Sequence, residues 1–218
     1  MKLKKIATWL DKTLDTESFD DVSNNGVQIA RTGDEVKKVA LAVDASRRSV
    51  VAAGEAGAQL LVVHHGISWG GGIKRITGSE FAVVQAAIDR NIALYAVHLP
   101  LDAHPKLGNN AQIAKALKLR HVRPAFKYHG NVIGCIGTAP DGKKVGVCSG
   151  GAGEFAAEAK ELGCDIFVTG EANWAETVAA ENVGMKMDLW GHYESELFGI
   201  KALKAEIEKE LKVETVLV

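Results

Sequence analysis

Histidines and carboxylates gather in three short segments of this chain. The first is His64-His65-Gly66, which follows an apolar strand predicted over Gln59–Val63. In open α/β sheets, ligands bind at the carboxyl ends of the strands. Neighbouring side chains on a regular strand point to opposite faces, so both histidines can serve one site only if the strand ends here and the chain turns at Gly66. A lone histidine here would be typical of a hydrogen-bonded structural residue, whereas the pair predicts metal ligands.

The second segment begins at His98 and again follows an apolar strand. Its candidate ligand is Asp102. Pro100 and Pro105 are expected to keep this stretch out of a regular helix, and a rigid loop can aim a carboxylate at a metal. The alternative is that Asp102 caps a helix near Asn109, but Asn109 lies closer to that helix and is itself a good cap.

The third segment leads into the last predicted helix and contains His192 and Glu196. If both lie on the first turns of that helix, positions i and i+4 share one face and can hold one metal ion. The alternative is an acidic helix start that favours the positive end of the helix dipole. That alternative explains Glu194 but does not explain the histidine.

Together these segments offer three imidazoles and two carboxylates and no thiolate, a set that suits Zn, Fe, Mn, Co or Ni. Five ligands are too many for one tetrahedral zinc ion that keeps an open position. Two ions about 3.5–4 Å apart, sharing a bridging carboxylate, fit the number better and are common in hydrolases. We therefore predict two divalent metal ions per chain. The predicted ligands are His64, His65, Asp102, His192 and Glu196.

The elements that position these residues follow from the hydrophobic pattern. Runs rich in Val, Ile and Leu alternate with runs rich in Ala, Lys and Glu, which predicts an α/β fold built from βαβ units around a buried sheet. The strands are predicted over Lys38–Val43, Gln59–Val63, Ala93–His98, Val132–Thr138, Val145–Cys148 and Asp165–Thr169. The helices are predicted near Ser46–Ala56, Glu80–Arg90, Asn109–Leu117, Glu154–Leu162, Trp174–Asn182 and Glu194–Leu211.

An internal repeat accompanies this alternation. Residues 38–65 align without a gap with residues 144–171, and both predict a strand, a helix, a glycine turn and a second strand. The turn glycines, Gly57 and Gly163, suit the position after a helix where the backbone is left-handed. In each half a histidine is then followed four residues later by a carboxylate. The alternative is chance similarity between two ordinary βαβ units.

The repeat predicts two similar α/β lobes. The first is predicted over residues 1–125, with the C-terminal helix packing across it, and the second over residues 126–218. The alternative is a single domain.

Composition excludes few classes of protein. The net charge is −1, from 26 basic and 27 acidic residues, which argues against a dedicated nucleic-acid binder although a local basic patch would not show in the total. The cysteines, Cys135, Cys148 and Cys164, are odd in number, form no C-x-x-C pair and lie in apolar stretches, so buried thiols in a reducing cytoplasm are expected. The first 14 residues predict an amphipathic helix rather than a signal peptide, and no apolar run approaches the about 20 residues that span a bilayer.

Six motifs give the chain a resemblance to a known family. They are Ser23-Asn-Asn-Gly-Val-Gln28, His64-His-Gly-Ile-Ser-Trp69, His98-Leu-Pro-Leu-Asp-Ala-His104, Leu107-Gly-Asn-Asn-Ala-Gln112, Thr169-Gly-Glu171 and Gly191-His-Tyr-Glu-Ser-Glu196. In this order they resemble the NIF-like family, many of whose members are named GTP cyclohydrolase 1 type 2 homologues. The chain is similar to the compact form, which lacks the extra domain inserted between the lobes of some longer relatives.

The resemblance implies a dinuclear metal centre in the cleft between two similar lobes. It also implies a toroidal homohexamer, arranged as a trimer of dimers. The family's ligands correspond to the five residues predicted above, with Glu196 as the bridge between the ions and His98 close by.

The function that the resemblance implies is hydrolytic opening of the purine ring of GTP by a metal-bound hydroxide, with His98 as a candidate catalytic residue that moves protons. Glu171 is the second catalytic candidate, because it takes the repeat position of His65; a structural salt bridge is the alternative. Other hydrolysis on the same ions, such as phosphoester cleavage, remains open. So does a metal-bearing scaffold without turnover, whose ring binds a protein or, with weaker support, nucleic acid.

Three further features have two interpretations each. The glycine-rich turn from Cys148 to Gly153 precedes a helix and could hold phosphate, but a tight strand-to-helix turn is the simpler interpretation. Trp69 could stack on a base, or it could cover the core or a subunit contact. His104 is expected beside the site or on the surface.

Overall fold

The structure is a computed structural model that describes residues Met1–Val218. The helices are α1 Leu3–Leu14, α2 Arg47–Glu55, α3 Gly78–Asp89, α4 Leu99–Ala103, α5 Asn109–Ala116, α6 Ala156–Glu161, α7 Trp174–Asn182 and α8 His192–Leu211. The strands are β1 Gly26–Ile29, β2 Lys38–Asp44, β3 Leu60–His65, β4 Ala93–Ala96, β5 Arg120–Tyr128, β6 Asn131–Thr138, β7 Lys144–Cys148, β8 Ile166–Thr169, β9 Lys186–Leu189 and β10 Glu214–Leu217. Short 3-10 helices occupy Thr16–Ser18 and Gly153–Phe155.

The chain divides into two compact units. The first consists of Met1–Pro100 and Ile200–Val218, and the second of Leu101–Gly199. Each unit contains one five-stranded sheet with helices, so the predicted mixed α/β architecture is confirmed. The lobe boundary at residue 125 stays a prediction. The internal repeat also stays a prediction, because a division into compact units does not test it.

The sheet of the first unit has the strand order β1-β4-β3-β2-β10. Strands β10, β2, β3 and β4 run parallel, and β1 closes one edge in the antiparallel direction. Parallel strands that are covered on both faces are continuous apolar runs, as β3 and β4 are. The register pairs Asp44 with His65, so the carboxyl ends of β2 and β3 are level.

The two faces of this sheet pack against different helices. One face packs with α2 and α3, and their shared cluster includes Val50, Val83, Leu61 and Leu94. Successive side chains on β4 point to opposite faces, so Tyr95 lies on the other face, where its hydroxyl donates to Asp11 Oδ1 of α1 at 2.7 Å. Burial and this carboxylate raise the pKa of Tyr95, so the phenol stays protonated.

The sheet of the second unit follows chain order, β5-β6-β7-β8-β9. Strands β5, β6 and β7 pair antiparallel, and β7, β8 and β9 pair parallel. Its core joins Ile113 and Ala114 of α5 to Val145, Val147 and Val168 of the sheet. The register pairs Thr169 with Leu189, so the carboxyl ends of β8 and β9 lie side by side. Glu171 follows β8, and His192 begins α8 soon after β9.

The ends of two helices confirm predictions made from glycine. Gly57 follows α2 with φ 75, and Gly163 follows α6 with φ 77, so both adopt the left-handed conformation expected after a helix. At the other end of α2, Ser46 accepts from the backbone N–H of Ser49 and forms a capping box, which explains why the helix begins there.

The expectation for the stretch around Pro100 is wrong. The stretch around Pro100 is not kept out of a helix, because it forms the short helix α4, in which Pro100 is the second residue. An N–H in the first turn of a helix has no intrahelical partner, so the missing N–H of proline costs nothing there. Four strands do not appear among the predicted ones: β1, β5, β9 and β10.

The cysteines and the helix lengths agree with the predictions from composition. Cys135, Cys148 and Cys164 are free and buried. Burial raises the pKa of Cys135 to about 12, so its thiol stays protonated at neutral pH. No helix of the structure combines the length and the apolar character that crossing a membrane requires.

Candidate metal centre

Three histidines of the first unit lie together at the carboxyl ends of β3 and β4. His64, His65 and His98 each offer a ligand atom, and these atoms lie within 4.8 Å of one another. The ring centroids of His64 and His65 are 4.7 Å apart, so the two neighbours on β3 do face one site as its strand ends. His64 is fully buried, whereas His65 is half-buried.

Gly66 is needed directly after this pair. A Cβ atom at this position would lie 2.2 Å from Gln28 Oε1 and 2.6 Å from Ala96 Cβ. Gln28 Oε1 uses this space to accept from the backbone N–H groups of Ile67 and Ser68. The sequence predicted a turn at Gly66, and the structure gives its steric reason.

An acceptor oxygen holds the Nδ1 atom of each imidazole in this cluster. The carbonyl oxygen of Val97 can only accept, so His64 carries its proton on Nδ1 and its lone pair on Nε2. Imidazoles that bind metals are oriented in this way by a carbonyl or a carboxylate behind the ring. The Nδ1···O distances are 2.9 Å for His64 with Val97, 2.8 Å for His65 with Asp44 and 2.8 Å for His98 with Asp21.

The carboxylate behind His98 is the more buried of the two. Asp21 also accepts from the backbone N–H groups of Ser23 and Leu99 and from the side chain of Asn25. Burial alone would raise the pKa of Asp21, but the hydrogen bond and charge of His98, with the other donors, lower it below its usual value. Asp21 therefore remains a carboxylate that orients His98.

Sequence reasoning missed Asp21 and Asp44. Asp44 could have been found, because it ends β2 as His65 ends β3, and parallel neighbours end at the same edge. Asp21 lies in a loop before β1 with no pattern that relates it to His98.

In the second unit, His192 and Glu196 lie on the first turns of α8, as predicted. His192 Nε2 is 3.1 Å from Glu196 Oε1, and His192 Nδ1 is 2.9 Å from Glu171 Oε1. One imidazole is thus held between two carboxylates, which can only accept when ionised. A neutral ring has one N–H for these two contacts, so a cation beside His192 Nε2 and Glu196 would complement the pair.

Glycines bring the backbone close to this pair. Gly150 has φ 70, and a Cβ atom there would lie 2.5 Å from Glu196 Oε1 and 3.4 Å from His192 Nε2. A Cβ atom on Gly170 would lie 2.8 Å from the Cα of His192. The turns after β7 and β8 can therefore carry no side chain at these two positions.

Asp102 belongs to a buried hydrogen-bond network of the second unit. Its Oδ1 accepts from Asn109 Nδ2 at 2.8 Å and from Ser149 Oγ at 3.1 Å. Asn109 Oδ1 in turn accepts from the backbone N–H of Gly199 in α8, at 2.6 Å. The sequence suggested that Asn109 caps α5, but no side chain caps the start of this helix. Asn109 orients Asp102 instead.

The remaining candidates have structural partners. His104 Nδ1 accepts from the backbone N–H groups of Lys106 and Leu107, which fits a turn next to α4. In the glycine-rich turn, Asn110, Ser195 and Thr169 side chains accept from the N–H groups of residues 149, 150 and 152. Those donors stabilise the turn itself, so the simpler interpretation, a tight strand-to-helix turn, is the one the structure favours.

The chemistry of these donors suits a divalent metal. Neutral imidazole nitrogens with fixed lone pairs and buried carboxylates are ligands for first-row transition metals and zinc. Each set of candidate ligands is formed within one unit. The first unit holds His64, His65 and His98, and the second holds His192 and Glu196. The residues present thus fit the metal that the sequence predicted.

Comparison with known proteins extends this assignment. The profile of the family described as Duf34/NIF3 (NGG1p interacting factor 3) matches residues 1–143 and 138–218. A protein from Archaeoglobus fulgidus named "GTP cyclohydrolase 1 type 2 homolog" is 38% identical, covering 99% of this chain and 97% of its own length. A protein of the same name from Deinococcus radiodurans is 37% identical over 96% of this chain and 89% of its own length.

Solved structures share the fold over the whole chain. TTHA1606 from Thermus thermophilus is 29% identical, with a TM-score of 0.86, and the match covers 100% of this chain and 97% of that one. Protein ybgI, described as of unknown function, is 26% identical with a TM-score of 0.86, over 100% of this chain and 98% of that one. The resemblance predicted from the six motifs is confirmed: the chain belongs to the Duf34/NIF3 (NGG1p interacting factor 3) family.

Proposed function

We propose that this protein is a hydrolase that depends on two divalent metal ions and opens the purine ring of a nucleotide such as GTP. The observation that carries the proposal is the orientation of four imidazoles, each with an oxygen atom on Nδ1. The proposed metal ligands are His64, His65, Asp102, His192 and Glu196, with Glu196 as the bridge.

The number and type of donors support two ions rather than one. Five protein ligands exceed what a single tetrahedral ion with an open position can use. A buried carboxylate such as Glu196, which is 3% exposed, loses the hydration that would stabilise its charge, and a shared cation would compensate for that loss. When bound, the ions would lower the pKa of water and polarise the bond to be cut.

The chain's own residues supply proton transfer and orientation. His98 has the carboxylate of Asp21 behind its Nδ1, so its Nε2 can accept a proton while Asp21 stabilises the imidazolium that forms. Glu171 lies against Nδ1 of His192 in the same way, on the exposed side of the ring, and holds that ring in position. We propose His98 as the catalytic residue that moves protons and Glu171 as the residue that positions His192.

The choice of GTP as the first substrate to test comes from the names of the relatives. Those names describe homologues of a cyclohydrolase, so the reaction is proposed for this chain and not carried over as known. Phosphoester hydrolysis on the same ions, and a metal-bearing scaffold without turnover, are the two alternative outcomes of the test.

The test combines metal analysis with an activity screen. We expect metal-replete protein to contain close to two ions per chain and to release formate from GTP. His65→Ala is expected to lose bound metal and to release no formate. Turnover of a generic phosphoester but not of GTP would replace the substrate class. No turnover of either by protein with its full metal content would overturn the hydrolase function in favour of the scaffold.

The assembly and location are further proposals. We propose a toroidal homohexamer in the cytoplasm, on the basis of the family resemblance. Native mass spectrometry of the full chain tests the oligomer directly, and a stable monomer at micromolar concentration would contradict it.

A further inference from the structure

The first unit contains a pocket that the proposed chemistry does not use. Its volume is about 640 Å³, and it lies between the turn after β3 and the start of α3. Its walls include Ile67, Trp69, Ile73, Lys74, Arg75 and Glu80. A volume of this size is in the range of small-molecule sites, which are about 300–1,000 Å³.

Trp69 connects this pocket to the histidine cluster. Its indole Nε1 donates to the carbonyl oxygen of Gly66 at 3.0 Å, which fixes the ring. The ring meets His98 edge-on, with centroids 5.2 Å apart, and its centroid is 6.1 Å from that of His65. Yet 37% of Trp69 remains exposed, so a flat aromatic surface is held in place beside the imidazoles.

The positive charges of the pocket come from the loop before α3. Lys74 and Arg75 are exposed, and neither has the carboxylate partner that Lys143, for example, has in Asp141 at 2.7 Å. Two cations without partners attract an anionic group, and an arginine can bind phosphate through two parallel hydrogen bonds. Glu80, which also lines the pocket, repels phosphate but can accept from the N–H groups of a base.

We propose that this pocket binds a nucleoside phosphate, with the base stacked on Trp69 and the phosphate held by Lys74 and Arg75. The proposal rests on the hydrolase function above and assigns its substrate class to particular residues. Stacking of a base on an aromatic side chain tolerates any base, so the pocket by itself recognises the class rather than one nucleotide. Because the Trp69 ring contacts His98, a base stacked on Trp69 would lie near the residue proposed to move protons.

Equilibrium binding of guanosine 5′-monophosphate and of guanosine, measured by calorimetry on the full chain as purified, tests this assignment. Lys74→Ala/Arg75→Ala is expected to weaken the monophosphate by about tenfold or more and to leave guanosine unchanged. Trp69→Leu is expected to weaken both ligands by about tenfold, and Trp69→Phe to restore most of that loss. Lys4→Ala/Lys5→Ala, which removes two adjacent exposed cations from α1, serves as the matched control.

The outcomes separate this inference from the proposed function. Unchanged monophosphate affinity in Lys74→Ala/Arg75→Ala, with wild-type metal content and melting temperature, would overturn the pocket assignment even if GTP is hydrolysed. No binding of the monophosphate by the wild type at millimolar concentration would overturn it too. Binding with the expected dependence on Trp69, Lys74 and Arg75, but without hydrolysis, would support the pocket and contradict the hydrolase.

Discussion

The oxygen atoms behind the imidazoles determine which ring nitrogen each histidine presents. At His64 the partner is a carbonyl, while at His65, His98 and His192 it is a carboxylate. A carboxylate makes the opposite nitrogen more basic, and a carbonyl fixes the tautomer with a smaller electrostatic effect. His64, which is also fully buried, therefore has its tautomer fixed with the smaller of these two electrostatic effects.

If Asp21 acts through His98, removing either side chain should have the same effect on turnover as removing both. Asp21→Asn removes the charge that stabilises the imidazolium, so we expect turnover of GTP to fall by about a hundredfold, and His98→Ala to do the same. The double variant should be no slower than either single variant, because both remove one function. The measurement is steady-state turnover with the metal content determined in each sample.

Two results bear on the coupling of this pair. Losses that multiply in the double variant would mean that Asp21 and His98 act independently, and the positioning role would be wrong. Asp89→Asn, an exposed aspartate at the end of α3, is the matched control and should keep wild-type turnover.

The buried amide of Asn109 allows a sharper test of stability. Asn109→Asp keeps the shape but replaces the donor to Asp102 by a second carboxylate oxygen inside the second unit. Because two buried carboxylates cannot share this contact without a proton, the free energy of unfolding at pH 7 should fall by about 2–4 kcal/mol. Urea unfolding measures it, and Asn182→Asp, at an exposed position of α7, should change it by less than about 0.5 kcal/mol.

A smaller loss in Asn109→Asp, equal to that of the exposed control, would contradict the network described for Asp102. The same variant should also take up less metal if Asp102 is a ligand, since a misplaced carboxylate binds more weakly. Metal content and unfolding are thus separate readouts of one buried amide.

At the scale of elements, the candidate metal ligands lie next to turns between strands and helices. Glycines in those turns leave room for the ligand side chains. Gly150 and Gly57 offer a matched comparison, because both have a left-handed backbone, φ 70 and φ 75, but only Gly150 faces a side chain. Gly57→Ala should lower the free energy of unfolding by about 1 kcal/mol through backbone strain alone, since nothing lies within 4 Å of the added Cβ.

Gly150→Ala adds a steric conflict with Glu196 Oε1, 2.5 Å away from the new Cβ. We expect it to lose at least half of its bound metal, while Gly57→Ala keeps the wild-type content at a similar backbone cost. Elemental analysis of the two purified variants decides the matter. Equal metal content in both would show that the turn after β7 does not shape the site.

The elements that the sequence predicted are those that carry their own pattern. Strands β2, β3 and β8 are continuous apolar runs, and α7 matches its predicted bounds because Asn173 forms a capping box at its start. The strands that were missed are at the edges of their sheets: β1 and β10 in one, β5 and β9 in the other. An edge strand is exposed and is defined by the neighbour it pairs with, so its own residues give little periodic signal.

The same limit applies to the candidate site. The histidines were predictable because they end apolar strands, and His192 with Glu196 because their spacing matches a helix turn. Asp21 and Asn109 were not, because each reaches its partner through the fold rather than through a neighbouring position. A sequence indicates donors more readily than the groups that orient them.

At the scale of the whole molecule, metal and stability should be linked. Donors that are oriented only in the folded chain bind metal better than the same residues do in the unfolded chain, so ligand binding adds RT ln(1 + [L]/Kd) to stability. Metal at a hundred times its Kd should therefore raise the free energy of unfolding by about 2.7 kcal/mol per site. For a chain of this size, that corresponds to a rise in melting temperature of about 5–10 °C per site.

This linkage is measured by thermal unfolding of one preparation after chelation and again after metal is restored. The wild type should lose and regain the full shift, and His65→Ala should show less than half of it, because it lacks a ligand. His121→Asn removes a histidine outside both donor sets, from a position with φ 52 that asparagine tolerates, and should respond as the wild type does. If His65→Ala instead responds fully, its imidazole binds no metal, and the proposed centre must be built from the remaining donors.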